Sequence, residues 1–172
     1  MDGDEEFSAF VAARADHLYR QAWLLTGSRS SAEDLVQTAL TKAYAAWSRV
    51  RRADDPVAYV HGVLMKSFLS DRRRRWTSEL PVAEPRVDTG GGGADPADAQ
   101  VERLALVGAL DGLSRTDRAV VVLRYWDDRS VAETATTLGL SEAAVKNRSL
   151  RALRRLADHL EPVPDDTRGS HR

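Results

Sequence analysis

Residues 130–156, SVAETATTLGLSEAAVKNRSLRALRRL, spell a helix, a three-residue turn and a second, strongly basic helix. Ser130 suits the start of the first helix because its hydroxyl can accept from amides that the first turn leaves unpaired, and Glu133 completes a capping box. Gly139 ends that helix, since glycine enters the left-handed conformation without a Cβ clash. Leu140 fills the gap between the helices and Ser141 caps the second. The pattern predicts a helix-turn-helix, whose second helix lies in the DNA major groove.

At about 100° per residue, Val145, Ser149, Ala152, Leu153 and Leu156 share the stripe of the second helix that faces inward. Ala143, Asn147, Leu150, Arg151 and Arg154 lie opposite, flanked by Lys146, Arg148 and Arg155. Asn and Arg pair with adenine and guanine edges, an outward Leu touches a thymine methyl, and flanking cations reach phosphates. Five cations and one anion fall between positions 142 and 155, whereas the whole chain carries a formal net charge of −1. The charge is therefore local, which favours a DNA partner over an ordinary solvated face.

The 172 residues, 42% hydrophobic, suffice for one domain or two small ones. Residues 77–99 contain Pro81, Pro85, Pro96 and a glycine run at 90–93 without apolar periodicity, and so read as a flexible linker. Its anions Glu79, Glu84, Asp88, Asp95 and Asp98 outnumber the single cation Arg86. This divides the chain into 1–76, the linker 77–99, 100–162, and a tail, 163–172, expected to be disordered. With no cysteine and four histidines lacking ligand-like spacing, neither a metal site nor a cofactor is expected. No apolar run is long enough for a bilayer and no leader pattern opens the chain, so a cytoplasmic protein is expected.

Phe7, Phe10, Val11, Leu18, Ala22 and Leu25 recur at helical spacing up to Gly27. A second helix is expected from a Ser31 cap, with Asp34 at the capping-box position, to about Trp47. A third opens at Asp55-Pro56 and ends in Arg72 to Arg75. Beyond the linker, Val101, Leu104, Leu106, Val107, Leu110 and Leu113 form an apolar stripe, and Ser114 with Asp117 opens a helix over 118–126. No strand pattern occurs, so the fold expected is all-α, two small helical domains joined by the linker.

Three surfaces of the first domain stand out. Asp34, Gln37, Thr38, Thr41 and Ser48 give the second helix a polar, nearly uncharged face of the kind found in interface cores. Lys66 with Arg72, Arg73, Arg74 and Arg75 is a second basic concentration suited to phosphate contacts. The short loop carrying Arg51, Arg52, Asp54 and Asp55 offers polar groups to the edge of an unpaired base.

In this order, AEDLVQTALTKAYAAW at 32–47, DPVAYVHGVLMKSFLSDRRRR at 55–75, LSRTDRAVVVLRYW at 113–126 and the helix-turn-helix resemble the extracytoplasmic-function sigma factors of the sigma-70 family, in particular the actinobacterial SigE-like group. The resemblance spans nearly the whole chain and implies region 2 followed by region 4. It implies that Asp34, Gln37, Thr38 and Thr41 dock on the clamp helices of core RNA polymerase, with region 4 at the flap of the second-largest subunit. Arg51, Arg52, Asp54, Lys66 and Arg72 to Arg75 would then contact the single-stranded minus-10 element. Lys146, Asn147, Arg148, Leu150, Arg151 and Arg154, with Arg118 and Arg124, would contact the duplex minus-35 element. It further implies an anti-sigma partner, no catalytic chemistry, and passage of the acidic linker through a basic channel of the polymerase. The alternative is a stand-alone helix-turn-helix regulator binding an operator as a dimer, which requires a dimer interface that the sequence does not display.

Overall fold

The computed structural model describes residues 2–70 and 96–160. Their order is α1 (Gly3–Thr26), α2 (Arg29–Ala45), α3 (Trp47–Val50), α4 (Pro56–Ser70), α5 (Pro96–Asp111), α6 (Arg115–Val121) continuing into one π-helical turn (Val122–Trp126), α7 (Val131–Leu138) and α8 (Glu142–Leu160). Among the described residues there is no strand, and no helix is long and apolar enough to cross a membrane.

The helices begin where side chains satisfy their first amides, not always where the sequence pattern places them. α1 starts before Phe7, at an Asp2 cap whose capping box is closed by Glu5. α2 is capped by Ser28, whose hydroxyl accepts from the Ser31 amide at 3.3 Å, rather than by Ser31. Gly27 has already reversed the chain, so Ser28, extended at φ −140°, is the first residue able to cap. α2 stops at Ala45 because Trp47 starts α3, with its ring 5.1 Å from Phe7 and 5.3 Å from Phe10. Asp55 caps α4 as expected, accepting from the Ala58 amide at 2.9 Å.

α5 opens at Pro96, inside the segment 77–99 read as linker; proline is tolerated there because the first turn needs no amide donor. Only its second half is covered: Val107, Ala109 and Leu110 are buried, as is Leu113 just beyond its end, while Val101 and Leu104 are 65% and 60% exposed. Ser114 caps α6 by accepting from the Asp117 amide at 3.1 Å, three residues before the expected start. On α8, Val145, Ser149, Ala152 and Leu156 are buried as expected, but Leu153 is exposed. At about 100° per residue Leu153 lies some 80° from Val145, on the rim of the stripe.

α1, α2 and α4 pack together, as do α6, α7 and α8, and α1 and α4 also touch α5, α6 and α7. One apolar cluster consequently runs through both halves, with Leu18, Ala22, Leu25 and Leu64 from the first and Leu110, Leu123 and Ala152 from the second. A smaller one, Val120, Ala135 and Val145, locks the helix-turn-helix to α6.

Gly27 sits where this joint is tightest. Its φ is +76°, and a Cβ there would lie 3.3 Å from Val107 Cγ1 and 3.4 Å from the Arg118 guanidinium. Gly27→Ala therefore combines left-handed strain with crowding, and about 1–2 kcal/mol of stability should be lost. Urea unfolding checks this, and an unchanged midpoint would contradict it.

Candidate nucleic-acid interface

Local chemistry fixes the angle between α7 and α8. Ser130 and Glu133 form the reciprocal box, Glu133 N to Ser130 Oγ at 3.1 Å and Ser130 N to the Glu133 carboxylate at 2.7 Å. The Ser130 backbone amide holds the Glu133 carboxyl below its usual range. Gly139 has φ +66°, Leu140 packs on the small cluster, and Ser141 accepts from the Ala144 amide at 3.1 Å.

This leaves Lys146, Asn147, Leu150, Arg151 and Arg154 exposed along one side of α8. Leu150 is 51% exposed, a position that apolar burial within this chain does not explain. Arg148 is half-buried and donates to Asp117 at 2.7 Å, so it orients α8 against α6. Asp117 thus serves the α8 contact instead of closing a box with Ser114.

Two residues expected at the minus-35 backbone are placed otherwise. Arg118 is 5% exposed, donates from Nε to the Leu24 carbonyl at 2.7 Å and pairs with Asp111 at 2.8 Å. Burial lowers its pKa and Asp111 opposes that, and in this packed arrangement the guanidinium faces the joint between the halves instead of solvent. The reason is the end of α1: its last carbonyls lack intrahelical donors, and a guanidinium beside them gains both a hydrogen bond and the helix dipole. Arg124 is half-buried and donates to the Arg129 carbonyl, with its guanidinium 5.7 Å from the Tyr125 ring.

In the first half, Arg52, Asp54 and Lys66 are exposed, while Arg51 pairs with Glu6 at 3.0 Å. Arg72, Arg73, Arg74 and Arg75 lie outside the described residues, as do most of the linker and the tail. Asp34, Gln37 and Thr41 are exposed on α2 and Thr38 is half-buried. Gln37 and Thr41 border a groove between α1 and α2 whose floor includes Phe7, Tyr19, Val36, Leu40 and Tyr44.

A second set of polar contacts joins the halves. Arg115 donates to the Phe68 carbonyl and lies 4.2 Å from the Phe68 ring centroid, and Arg129 lies 3.7 Å from Asp55. Asp127 reaches into the first half, with Oδ1 2.9 Å from His17 Nε2, and accepts from the Gln21 amide. His61 Nδ1 is 2.7 Å from Gln21 Oε1 and 3.6 Å from Asp127 Oδ2. Burial, with His17 beside it, holds the His61 pKa down to about 4, and burial raises that of Asp127. These histidines are 44 positions apart in sequence, so no local spacing could have flagged them.

Comparison with known proteins matches residues 10–77 to Sigma-70 region 2 and residues 103–156 to Sigma-70, region 4. RNA polymerase sigma-E factor of Streptomyces avermitilis is 34% identical over 170 residues, covering 97% of this chain and 92% of that protein. ECF RNA polymerase sigma factor SigL of Mycobacterium tuberculosis is 32% identical over 142 residues, 80% of each chain. Among solved structures, sigma factor RpoE of Bartonella quintana, in complex with the anti-sigma factor NepR, has a similar fold, with a TM-score of 0.69 at 24% identity over 91% of this chain and 97% of that one. Extracytoplasmic function sigma factor SigJ of M. tuberculosis has a TM-score of 0.59 at 34% identity, over 88% of this chain and 53% of that one.

Arg118 is the most buried of the polar ties between the halves, so Arg118→Ala should loosen them and raise the radius of gyration in small-angle scattering. A profile as compact as that of the unaltered chain would assign the joint to the apolar packing and the other polar contacts, with no need of Arg118.

Proposed function

The chain belongs to the sigma-70 family as an extracytoplasmic-function RNA polymerase sigma factor, and we propose that its two halves divide promoter recognition between them, region 4 reading the minus-35 duplex and region 2 holding the opened minus-10 strand. The observation that carries this is the exposed row Lys146, Asn147, Leu150, Arg151 and Arg154, on a helix whose opposite stripe is buried. Asn147 and Arg151 have the donors and acceptors for base edges, Leu150 meets a thymine methyl, and Lys146 and Arg154 meet phosphates. Arg148 acts through the Asp117 contact, setting the angle at which that row enters the groove.

On region 2, the loop at Arg51, Arg52 and Asp54 and the helix bearing Lys66 receive the minus-10 strand, continued by Arg72 to Arg75. Contacts available only to unpaired bases favour the melted state by differential affinity, without catalysis by this chain. The α2 row Asp34, Gln37, Thr38 and Thr41, with the apolar groove beside it, takes the clamp helices of core polymerase. The polymerase performs the synthesis, in the cytoplasm. An anti-sigma partner fits the same reading, as RpoE of B. quintana was solved with one.

The packed arrangement must open for this work. Elements named minus-10 and minus-35 are about 25 base pairs apart, or about 85 Å at about 3.4 Å per pair. A compact chain of this length has a radius of gyration of only about 15 Å. Residues 71–95, fully extended, reach at most about 90 Å, enough to bridge the gap once the halves part. Closed, the chain also has α6 and α7 against α4, the helix bearing Lys66.

Transcription of a genomic-fragment library by purified core polymerase, with and without the protein, tests the proposal. New starts sharing two spaced upstream elements are expected only when it is present; sequence-specific duplex binding without new starts would favour the stand-alone regulator. Asn147→Ala or Arg151→Ala should each cost about 1–3 kcal/mol of minus-35 binding and relax preference at one base. Equal loss on all sequences would contradict base reading.

A further inference from the structure

We propose that His17, His61 and Asp127 form a site for a divalent transition-metal ion of the zinc class, built across the joint between region 2 and region 4, so that the ion stabilises the closed arrangement. One ligand atom from each of the three residues lies within 4.8 Å of the other two. His17 Nε2 and Asp127 Oδ1 are 2.9 Å apart, and His61 Nδ1 and Asp127 Oδ2 are 3.6 Å apart. Zinc with nitrogen and carboxylate ligands at about 2.0–2.2 Å holds donors at about this mutual spacing. Two imidazoles and one carboxylate suit zinc, cobalt or nickel better than calcium or magnesium, which prefer oxygen donors.

The donors come from three separate elements. His17 stands on α1, His61 on α4, and Asp127 directly after the π-helical turn that ends α6. Gln21, one turn after His17, contacts both His61 and Asp127 and offers Oε1 as a fourth donor; a water serves otherwise. Trp126 stacks on the His17 ring at 6.0 Å and covers that side. Arg129 and Arg14 bring positive charge towards His61, but Arg129 is itself shared between Asp55 and Glu133, each at 3.7 Å.

Region 2 by itself supplies two ligands, and the third arrives only when region 4 is docked. The ion must then bind the closed chain more tightly than the open one, and by linkage it favours closure. This last step rests on the sigma-factor reading above; the binding site does not.

The test uses the full chain, titrated with zinc by calorimetry and with cobalt by visible absorption, alongside small-angle scattering. One ion per chain is expected, with a cobalt band typical of four-coordination and, in the Arg118→Ala chain whose joint is loosened, a smaller radius of gyration on binding. His17→Ala, at an exposed position, and Asp127→Asn, which keeps the shape of the side chain, should each weaken binding by about tenfold or more, since even outer-shell changes often cost this much. Circular dichroism checks that both variants stay folded. Unchanged affinity in the folded variants, or no saturable binding, would overturn the site. Binding that leaves the radius of gyration and the affinity for a minus-10 single strand unchanged would overturn the closure step. Neither readout involves the polymerase, so failure here leaves the transcription test standing and the reverse also holds.

Discussion

The closed form of this molecule depends on a guanidinium placed where one helix runs out of hydrogen bonds. Arg118 enters the joint almost fully covered, and removing a charge from water is costly unless its donors are met. The Leu24 carbonyl at the end of α1 meets Nε and the Asp111 carboxylate meets Nη1, while Nη2 has no hydrogen-bond partner among the described residues. Because Asp111 remains largely open to solvent, the pair is half in water, so its removal from solvent costs less than full burial of both charges would. Around this tie the apolar surfaces of α1, α4, α5 and α6 close into one cluster, which neither half could complete alone.

The same packing sorts the basic residues by role. Arg115 and Arg118 serve the joint, Arg124 and Arg148 hold region 4 in shape, and Lys146, Arg151 and Arg154 of α8 stay exposed. A cation in a family motif is therefore no guide to whether it meets phosphate or a carbonyl of its own chain. The packing sets α6 and α7 against α4 and leaves Lys66 and the polar row on α8 exposed.

Much of this was legible beforehand because it is local. The helix-turn-helix, its capping box, the turn glycine and the inner stripe follow from residues within a few positions of one another, and they stand where the sequence placed them. The start of α2 was misplaced because two serines compete for the cap, and only the reversal at Gly27 decides between them. The structural role of Arg118 was hidden, and the histidine–aspartate cluster missed, for one reason: their partners lie 94 and 110 positions away along the chain. Val101 and Leu104 obey helical periodicity yet stay exposed, since periodicity gives the face of a helix and not how far its neighbours extend.

The π-helical turn at Val122–Trp126 carries an implication for how the chain can change length. It holds one residue more than an α-helical turn would, and removing that residue would rotate everything after it by about 100°. Asp127 would swing away from His17 and Gln21, and α7 would leave its seat on α4. Single-residue insertions and deletions should therefore be accepted freely between α4 and α5 and purged at this turn, so that its length, more than its composition, is what descent must preserve.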